Sequence, residues 1–308
     1  MPYNVLLTGG AGFIGSHIAE ELLKRNYSVI ILDNFSTGNR NNIKSLMNDC
    51  RVVEGDIRDY PTVSRVMKDV KIVIHQAALP SVPRSINDPI TTNEVNIKGT
   101  LNLLWSSVEN KVDKFLFASS SSIYGNCSDL IKHEKICPQP LSPYAVTKLA
   151  AENYCKVFAE TYSLQTICLR YFNVFGPRQD PNSQYSAVIP KFIDLFKNNK
   201  QPIIYGDGEQ TRDFTFVRNV VKANMLAIEN AIDKNLIMNC ACNRQVSLNE
   251  LVKQMNFIFN KNIIPIFQKV RIGDVKHSFA DISLAKEKIG YEPDIFFNEG
   301  LAETIKSY

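Results

Sequence analysis

Thr8-Gly9-Gly10-Ala11-Gly12-Phe13-Ile14-Gly15 is the stretch that decides the fold. It follows the apolar run Val5-Leu6-Leu7 and opens a segment, 13–25, in which Phe13, Ile14, Ile18 and Leu22 recur at helical spacing. The glycines fit G-x-G-x-x-G at Gly10, Gly12 and Gly15, and G-x-x-G-x-x-G at Gly9, Gly12 and Gly15. A strand that enters a helix through such a turn lets backbone approach a pyrophosphate where side chains would block it. The helix N-terminus adds N–H donors and a partial positive charge. Glycine-rich turns are common, so the spacing is weak by itself and gains weight from its place between strand and helix. Asp33 adds to it. It ends the next apolar run, SVIILD at 28–33, where a carboxylate can accept hydrogen bonds from an adenosine ribose and repel the 2′-phosphate of NADP. The expected cofactor is therefore NAD, with Asp56 and Ile57, after the third run, flanking its adenine.

Outward from this turn, strand and helix signals alternate. Strands are expected at 3–8, 28–33, 51–54, 71–77, 114–119 and 165–170, and helices at 13–25, 93–109 and 143–162. Such alternation indicates βαβ units and an α/β fold, a Rossmann-type doubly wound parallel sheet. Past residue 176 the rhythm changes. Pro177, Pro181 and Pro190 interrupt it, Gly206 and Gly208 mark a polar turn, and Ser247 with Glu250 forms a capping box opening a helix to Phe259. Gly290 closes a helix that starts near Ile282. The expectation is an NAD-binding domain over 1–176 that carries the catalytic residues, and a smaller substrate-binding lobe over 177–308 interleaved with it.

The 308 residues are 44% hydrophobic and carry a net charge of +4 with no dense basic run, which argues against a nucleic-acid partner. No apolar stretch reaches the length of a membrane span and no secretory signal is expected. Seven scattered cysteines suit a reducing compartment, so a cytoplasmic location is expected. Cys240 and Cys242 lack a second ligand pair at zinc spacing and the four histidines are isolated, so no metal is assigned.

Tyr144 and Lys148 stand four residues apart, on one face of the expected helix. A nearby ammonium favours phenolate, which would bring the Tyr144 pKa toward working pH and make it a general base. Upstream, Ser119-Ser120-Ser121-Ser122 follows the fifth strand, at the carboxyl edge where open α/β sheets bind ligands. Its hydroxyls can bond a sugar hydroxyl and shuttle its proton.

With these pieces on one chain, the sequence resembles the extended short-chain dehydrogenase/reductase family, through TGGAGFIG (8–15), SSSSIYG (119–125), YAVTK (144–148) and RYFNVFGPR (170–178). Within that family it is most similar to UDP-N-acetylglucosamine 4-epimerases, through HQAALPSVPRSINDP (75–89), RQDPNSQYSAVIPKF (178–192), GDGEQTRDF (206–214) and GDVKHSFADIS (273–283). The resemblance implies that Tyr144 takes the 4-hydroxyl proton, with Ser120 bridging and Ser121 and Ser122 beside it. Carbon 4 is oxidised by NAD and reduced again on its other face. It extends the cofactor set to Asn34, Ser36, Gly38, Gln76, Ala77, Ala78, Tyr171 and Val174, with Lys148 on the nicotinamide ribose and Phe172 near the nicotinamide. For a UDP-sugar it implies Asn173 near the diphosphate, Arg212 and Arg271 as a phosphate clamp, and Asp274 on the uridine ribose. Ala187, Val188 and Phe192 would face the uridine, Tyr205 would join the substrate set, and Ser81 and Arg84 would line the sugar pocket. Ser278 matches a position beside the C2 substituent, where a small residue leaves room for an N-acetyl group. Pro80 departs from the Gly of the closest N-acetyl-specific members, which leaves the preference between acetylated and plain sugars open. The family often dimerises through two helices, here 91–108 and 144–162, so a homodimer with a four-helix interface is expected.

Three rivals are weighed. A 4,6-dehydratase uses an Asp-Glu pair where Ser121 and Ser122 stand, and a UDP-glucuronate decarboxylase uses Glu at the second position, so both lack their proton carriers here. UDP-glucuronate 4-epimerase needs only a cation for the sugar carboxylate, which Arg84 could supply. A non-catalytic NAD-binding sensor or scaffold would be expected to lose Tyr144 or Lys148, and both are present.

Overall fold

The computed structural model describes residues 3–180, 187–231, 234–269 and 277–308. The main elements are β1 (Asn4–Thr8), α1 (Phe13–Lys24), β2 (Ser28–Asp33), β3 (Arg51–Glu54), α2 (Tyr60–Met67), β4 (Ile72–His75), α3 (Gly99–Glu109), β5 (Lys114–Ser120), α4 (Pro143–Tyr162), β6 (Gln165–Tyr171), α5 (Val217–Glu229) and β7 (Asn235–Cys240). The seven strands form one parallel sheet in the order β7-β6-β5-β4-β1-β2-β3. The order reverses between β1 and β4, which opens a crevice at their carboxyl ends.

Both faces of the sheet are covered, so its strands are apolar throughout. Val5 and Leu7 point into a core completed by Ile18 and Leu22 of α1 and Val220 and Met225 of α5. Leu6, between them, points the other way, into a core with Met67, Leu103, Leu104 and Phe158. Leu6 and Leu7 are fully buried, and each such side chain contributes on the order of 1.5–3 kcal/mol of burial free energy.

Three elements differ from expectation. The segment 93–109 is not one α-helix: a π-helical turn, Glu94–Lys98, precedes α3. It places Asn96 inward, where its amide donates to the Leu79 carbonyl (3.3 Å) and to Thr147 Oγ1 (3.0 Å) and accepts from the Leu79 N–H (2.8 Å). The loop after β4 is thereby tied to the helix that carries Tyr144 and Lys148. That helix starts sharply, because Ser142 Oγ accepts from the Ala145 N–H and Pro143 occupies the first turn. The second difference is strand length: β4 is confined to four residues and β6 runs on to Tyr171.

Beside the sheet lies a smaller apolar core built from Ile189, Phe192 and Phe196 of the helix Val188–Lys197, with Leu251, Met255, Phe297 and Leu301. Near it, a small sheet pairs Thr211–Arg212 with Val246–Ser247 and with His277–Ala280, which in turn pairs with Ile131–Lys132. Residues 131–132 join this small sheet and β7 joins the large one, so the chain passes repeatedly between the two.

Candidate functional site

A cavity of about 1190 Å³ follows the carboxyl ends of the central strands. At its floor is the turn between β1 and α1. A Cβ on Gly9 would meet the Ala77 nitrogen at 2.6 Å, and one on Gly15 would lie 2.1 Å from the Gly9 carbonyl oxygen. The turn is therefore closed on itself and flush with the β4 edge, with no room for side chains. Gly12 caps α1 without a side-chain acceptor, and Phe13, Ile14 and Gly15, whose N–H groups have no partner inside the helix, line the cavity. That is a cradle for a pyrophosphate.

At the end of β2, Asp33 accepts from the N–H of Ala11 and of Phe35, each at 2.9 Å, and lines the cavity. Burial raises its pKa against the pull of these two bonds. The hydrogen bond from Arg58 holds Asp56 down at about 2, and Asn34 Nδ2 also donates to Asp56 at 2.9 Å. Two carboxylates thus face one end of the cavity as acceptors, which fits an adenosine. At the other end Gln76 Nε2 donates to the Tyr171 hydroxyl at 2.9 Å, and Asn224 Nδ2 donates to the same oxygen at 2.8 Å. The cofactor residues expected from the sequence stand on this one wall, from Gly9 to Val174, except Gly10 and Phe172, which are buried. The glycine cradle, the N–H donors and the two acceptors fit NAD.

Tyr144 and Lys148 line the same cavity beside Ala118 and Ser119. Lys148 is 4% exposed, and its Nζ donates to the Ala118 carbonyl at 2.7 Å. Burial lowers its pKa to about 8, against the opposing pull of the Glu152 carboxylate. Ser120 stands close enough to the Tyr144 phenol that its hydroxyl favours the charged form. The expected lowering of the phenol pKa by Lys148 is not what this geometry produces. Burial raises the Tyr144 pKa and Ser120 only opposes that, while the Lys148 ammonium is 5.9 Å from the ring centroid and spends a bond on Ala118. Ser121 and Ser122 begin a 3-10 turn after β5. Ser120 Oγ accepts from the Ser122 N–H, and the Ser122 hydroxyl is buried without a partner among the described residues.

The expected substrate residues are only partly brought together. Ser81, Arg84 and Ala187 stand on the cavity wall. Ser81 holds φ at 109°, a strained value for a non-glycine residue, and its hydroxyl caps the short helix Val82–Asn87. Ser120, Ser121, Ser122, Asn173, Val188, Phe192, Tyr205 and Arg212 are absent from the described wall. Phe192 is packed in the core of the small lobe at 3% exposure. Asn173 Nδ2 donates to the Asp213 carbonyl. Arg212 lies opposite Ser278 in the small sheet, and the Asp213 carboxylate ties this sheet to the Cys242 and Ala280 N–H groups. Arg271 and Asp274 lie outside the described residues, as does the side chain of Ser278. Sequence reasoning passed over Arg40, Arg58, Gln179 and Asp180 on the wall, and Asn224 and Glu152 away from it. For Glu152 a signal existed: it stands four residues beyond Lys148, on the same helical face.

Among the described residues no helix is long and apolar enough to cross a membrane, and no group of three or more potential ligands could hold a metal ion.

Residues 5–241 match the model of the NAD dependent epimerase/dehydratase family. A UDP-N-acetylglucosamine 4-epimerase from Methanobrevibacter ruminantium, solved with UDP-N-acetylmuramic acid, is 42% identical, with a TM-score of 0.95 over 99% of this chain and 98% of that one. A UDP-glucose 4-epimerase from Thermotoga maritima, solved with UDP-glucose, is 37% identical, with a TM-score of 0.93 and the same coverage. A UDP-glucuronic acid 4-epimerase from Bacillus cereus, solved with UDP-glucuronic acid and NAD, is 33% identical, with a TM-score of 0.91 over 99% and 98%.

Proposed function

The chain belongs to the NAD dependent epimerase/dehydratase family, and from that premise we propose that it is an isomerase that inverts carbon 4 of a UDP-hexose, UDP-N-acetylglucosamine first. One observation carries the reading: Tyr144 and Lys148 share a single cavity with the glycine cradle and Asp33, Ser120 acts on the Tyr144 phenol, and positions 121 and 122 hold serines.

NAD held there supplies a reversible acceptor for the hydrogen of carbon 4. The protein's residues do the rest. Asp33 and Asp56 take the adenosine end, and the turn at 9–15 takes the pyrophosphate. Tyr144 accepts the 4-hydroxyl proton, with Ser120 relaying it and Lys148 stabilising the charge that develops. With the sugar turned to its other face, Tyr144 would return the proton to the oxygen on carbon 4. Ser121 and Ser122 offer no carboxylate to eliminate water across carbons 5 and 6, so the cycle ends at the epimer. The lobe over 177–308 would hold UDP through Tyr205, Arg212, Arg271 and Asp274, with Asn173 of the first domain near the diphosphate and Ala187 and Val188 around the base. Ser278, with Ser81 and Arg84, would shape the sugar pocket.

Arg84 on the wall favours a second reading, UDP-glucuronate, whose carboxylate needs a cation. The discriminating experiment compares kcat/KM for UDP-N-acetylglucosamine, UDP-glucose and UDP-glucuronate, with product masses. The highest value on the acetylated sugar with unchanged mass supports the main reading, and the highest value on UDP-glucuronate supports the second. Loss of water or carbon dioxide, or no turnover, overturns both.

We also propose a homodimer. Ile90, Trp105, Val146, Tyr154, Val157 and Tyr162 are exposed apolar residues on the 89–109 and 143–162 helices, a band suited to a four-helix interface. The seven cysteines form no disulfide, which suits the cytoplasm, where the product would serve as a donor sugar for polysaccharide assembly.

A further inference from the structure

Behind Tyr144 and Lys148 lies a buried polar chain that no step above uses. Glu152 is 2% exposed and sits one turn beyond Lys148 on α4. Arg170, on β6, donates to both its oxygens, Nε to Oε1 at 2.9 Å and Nη2 to Oε2 at 2.8 Å. Ser119 Oγ donates a third bond to Oε1 at 2.5 Å. Ser119 and Arg170 are register partners across β5 and β6, so the carboxylate binds two neighbouring strands at once. From Arg170 the chain continues through Nη1 to the Tyr124 hydroxyl (2.9 Å) and on to Asn239 Oδ1 (2.7 Å). The Asn239 amide then donates to the carbonyls of Lys132 and Asp281, at the small sheet.

A buried ion pair is weak evidence of stability, because the desolvation of two charges offsets their attraction. Its placement has a clearer consequence. Glu152 fixes Ser119, whose neighbours in the chain are Ala118, the carbonyl of which holds Lys148, and Ser120, which acts on the Tyr144 phenol. It also sets a negative charge one turn from a nearly dry ammonium. The groups facing Lys148 are Tyr144, Glu152 and Cys155 of its own helix, the Phe117 ring at 4.7 Å and the Ala118 carbonyl on β5, Cys168 on β6 and His75 on β4. Of these groups, Glu152 is the carboxylate. Arg170 stands just behind it.

We propose that Glu152 is a positioning residue for the Tyr144–Lys148 pair: it keeps Lys148 protonated and holds the end of β5 against both side chains. The turnover readout rests on the epimerase reading, while the charge argument does not.

The test measures the wild type, Glu152→Gln, Glu152→Asp and the double variant Glu152→Gln/Arg170→Gln, which leaves no lone buried guanidinium. For each, melting temperature establishes folding. NAD affinity and kcat/KM are then followed from roughly pH 6 to pH 10, the range spanned by Lys148 titration. Wild type should lose rate and NAD affinity along an alkaline limb as Lys148 deprotonates. In Glu152→Gln the limb should move down by about one pH unit or more, with kcat near pH 8 reduced roughly tenfold and KM little changed. Glu152→Asp should restore the limb, and the double variant should keep it below wild type. A folded Glu152→Gln, or failing that a folded double variant, with the limb unmoved overturns the proposal. A moved limb in NAD affinity without turnover in wild type sustains the proposal and removes the epimerase reading. Turnover with no moved limb does the reverse.

Discussion

Gly15→Ala tests the cofactor cradle at its tightest point. The new Cβ would stand 2.1 Å from the Gly9 oxygen and 2.9 Å from the Gly10 Cα, both backbone atoms that cannot rotate away. An unstrained contact needs roughly 3.5 Å, so the turn must open by about 1.4 Å where it meets the pyrophosphate. Overpacking of this kind costs about 1–3 kcal/mol, and if the loss falls on the bound form, NAD affinity drops about 5- to 150-fold. The assay is the NAD content of the purified protein, followed by calorimetric titration of the NAD-free form. Gly290→Ala is the control. Its φ of +69° makes alanine strained, but nothing lies within 4 Å of the added carbon. It should cost about 1–2 kcal/mol of stability and leave NAD binding intact. If Gly15→Ala keeps wild-type NAD content and affinity, the cradle argument is wrong.

Tyr144→Phe should lower kcat by about 10²–10⁴-fold while bound NAD stays at the wild-type level, and a variant that still turns over at the wild-type rate would remove Tyr144 from the proton path. Ser278→Tyr should depress kcat/KM for UDP-N-acetylglucosamine more than for UDP-glucose or UDP-glucuronate, whereas equal losses on all three would count against its place beside carbon 2. His75 offers a pH test. Its Nε2–H donates to Thr100 Oγ1, whose own proton goes to the Asn96 carbonyl, and its Nδ1 accepts from Thr8, so the ring is neutral. Burial lowers its pKa from 6.5 to about 3, so the unfolded chain takes up the proton first. Stability should be full above pH 6.5 and fall toward pH 3, with a slope from this group of up to about 1.4 kcal/mol per pH unit. Urea unfolding of wild type and His75→Gln would check it, and identical slopes in the two would refute it.

The sheet was legible wherever the signal is local. The β1 turn, the apolar runs and the α4 start at Ser142-Pro143 each declare themselves within a few residues, and they place the NAD wall. What stayed hidden is decided by distant partners. No local pattern says that residues 235–240 pair with β6 in the large sheet rather than with the lobe. The π-turn at 94–98 exists because Asn96 must reach Leu79, and the Glu152–Arg170 pair because β5 and β6 are in register. For Phe192 the signal was present and outweighed by the resemblance. Ile189, Phe192, Ile193 and Phe196 recur at helical spacing, and that period points inward, where the structure puts the ring.

The most direct test of carbon-4 inversion uses UDP-N-acetylglucosamine deuterated at carbon 4. The same hydrogen that leaves should come back, so the epimer formed in ordinary water should carry its deuterium still at carbon 4. Deuterium washed out into solvent, or an epimer labelled elsewhere, would contradict the account.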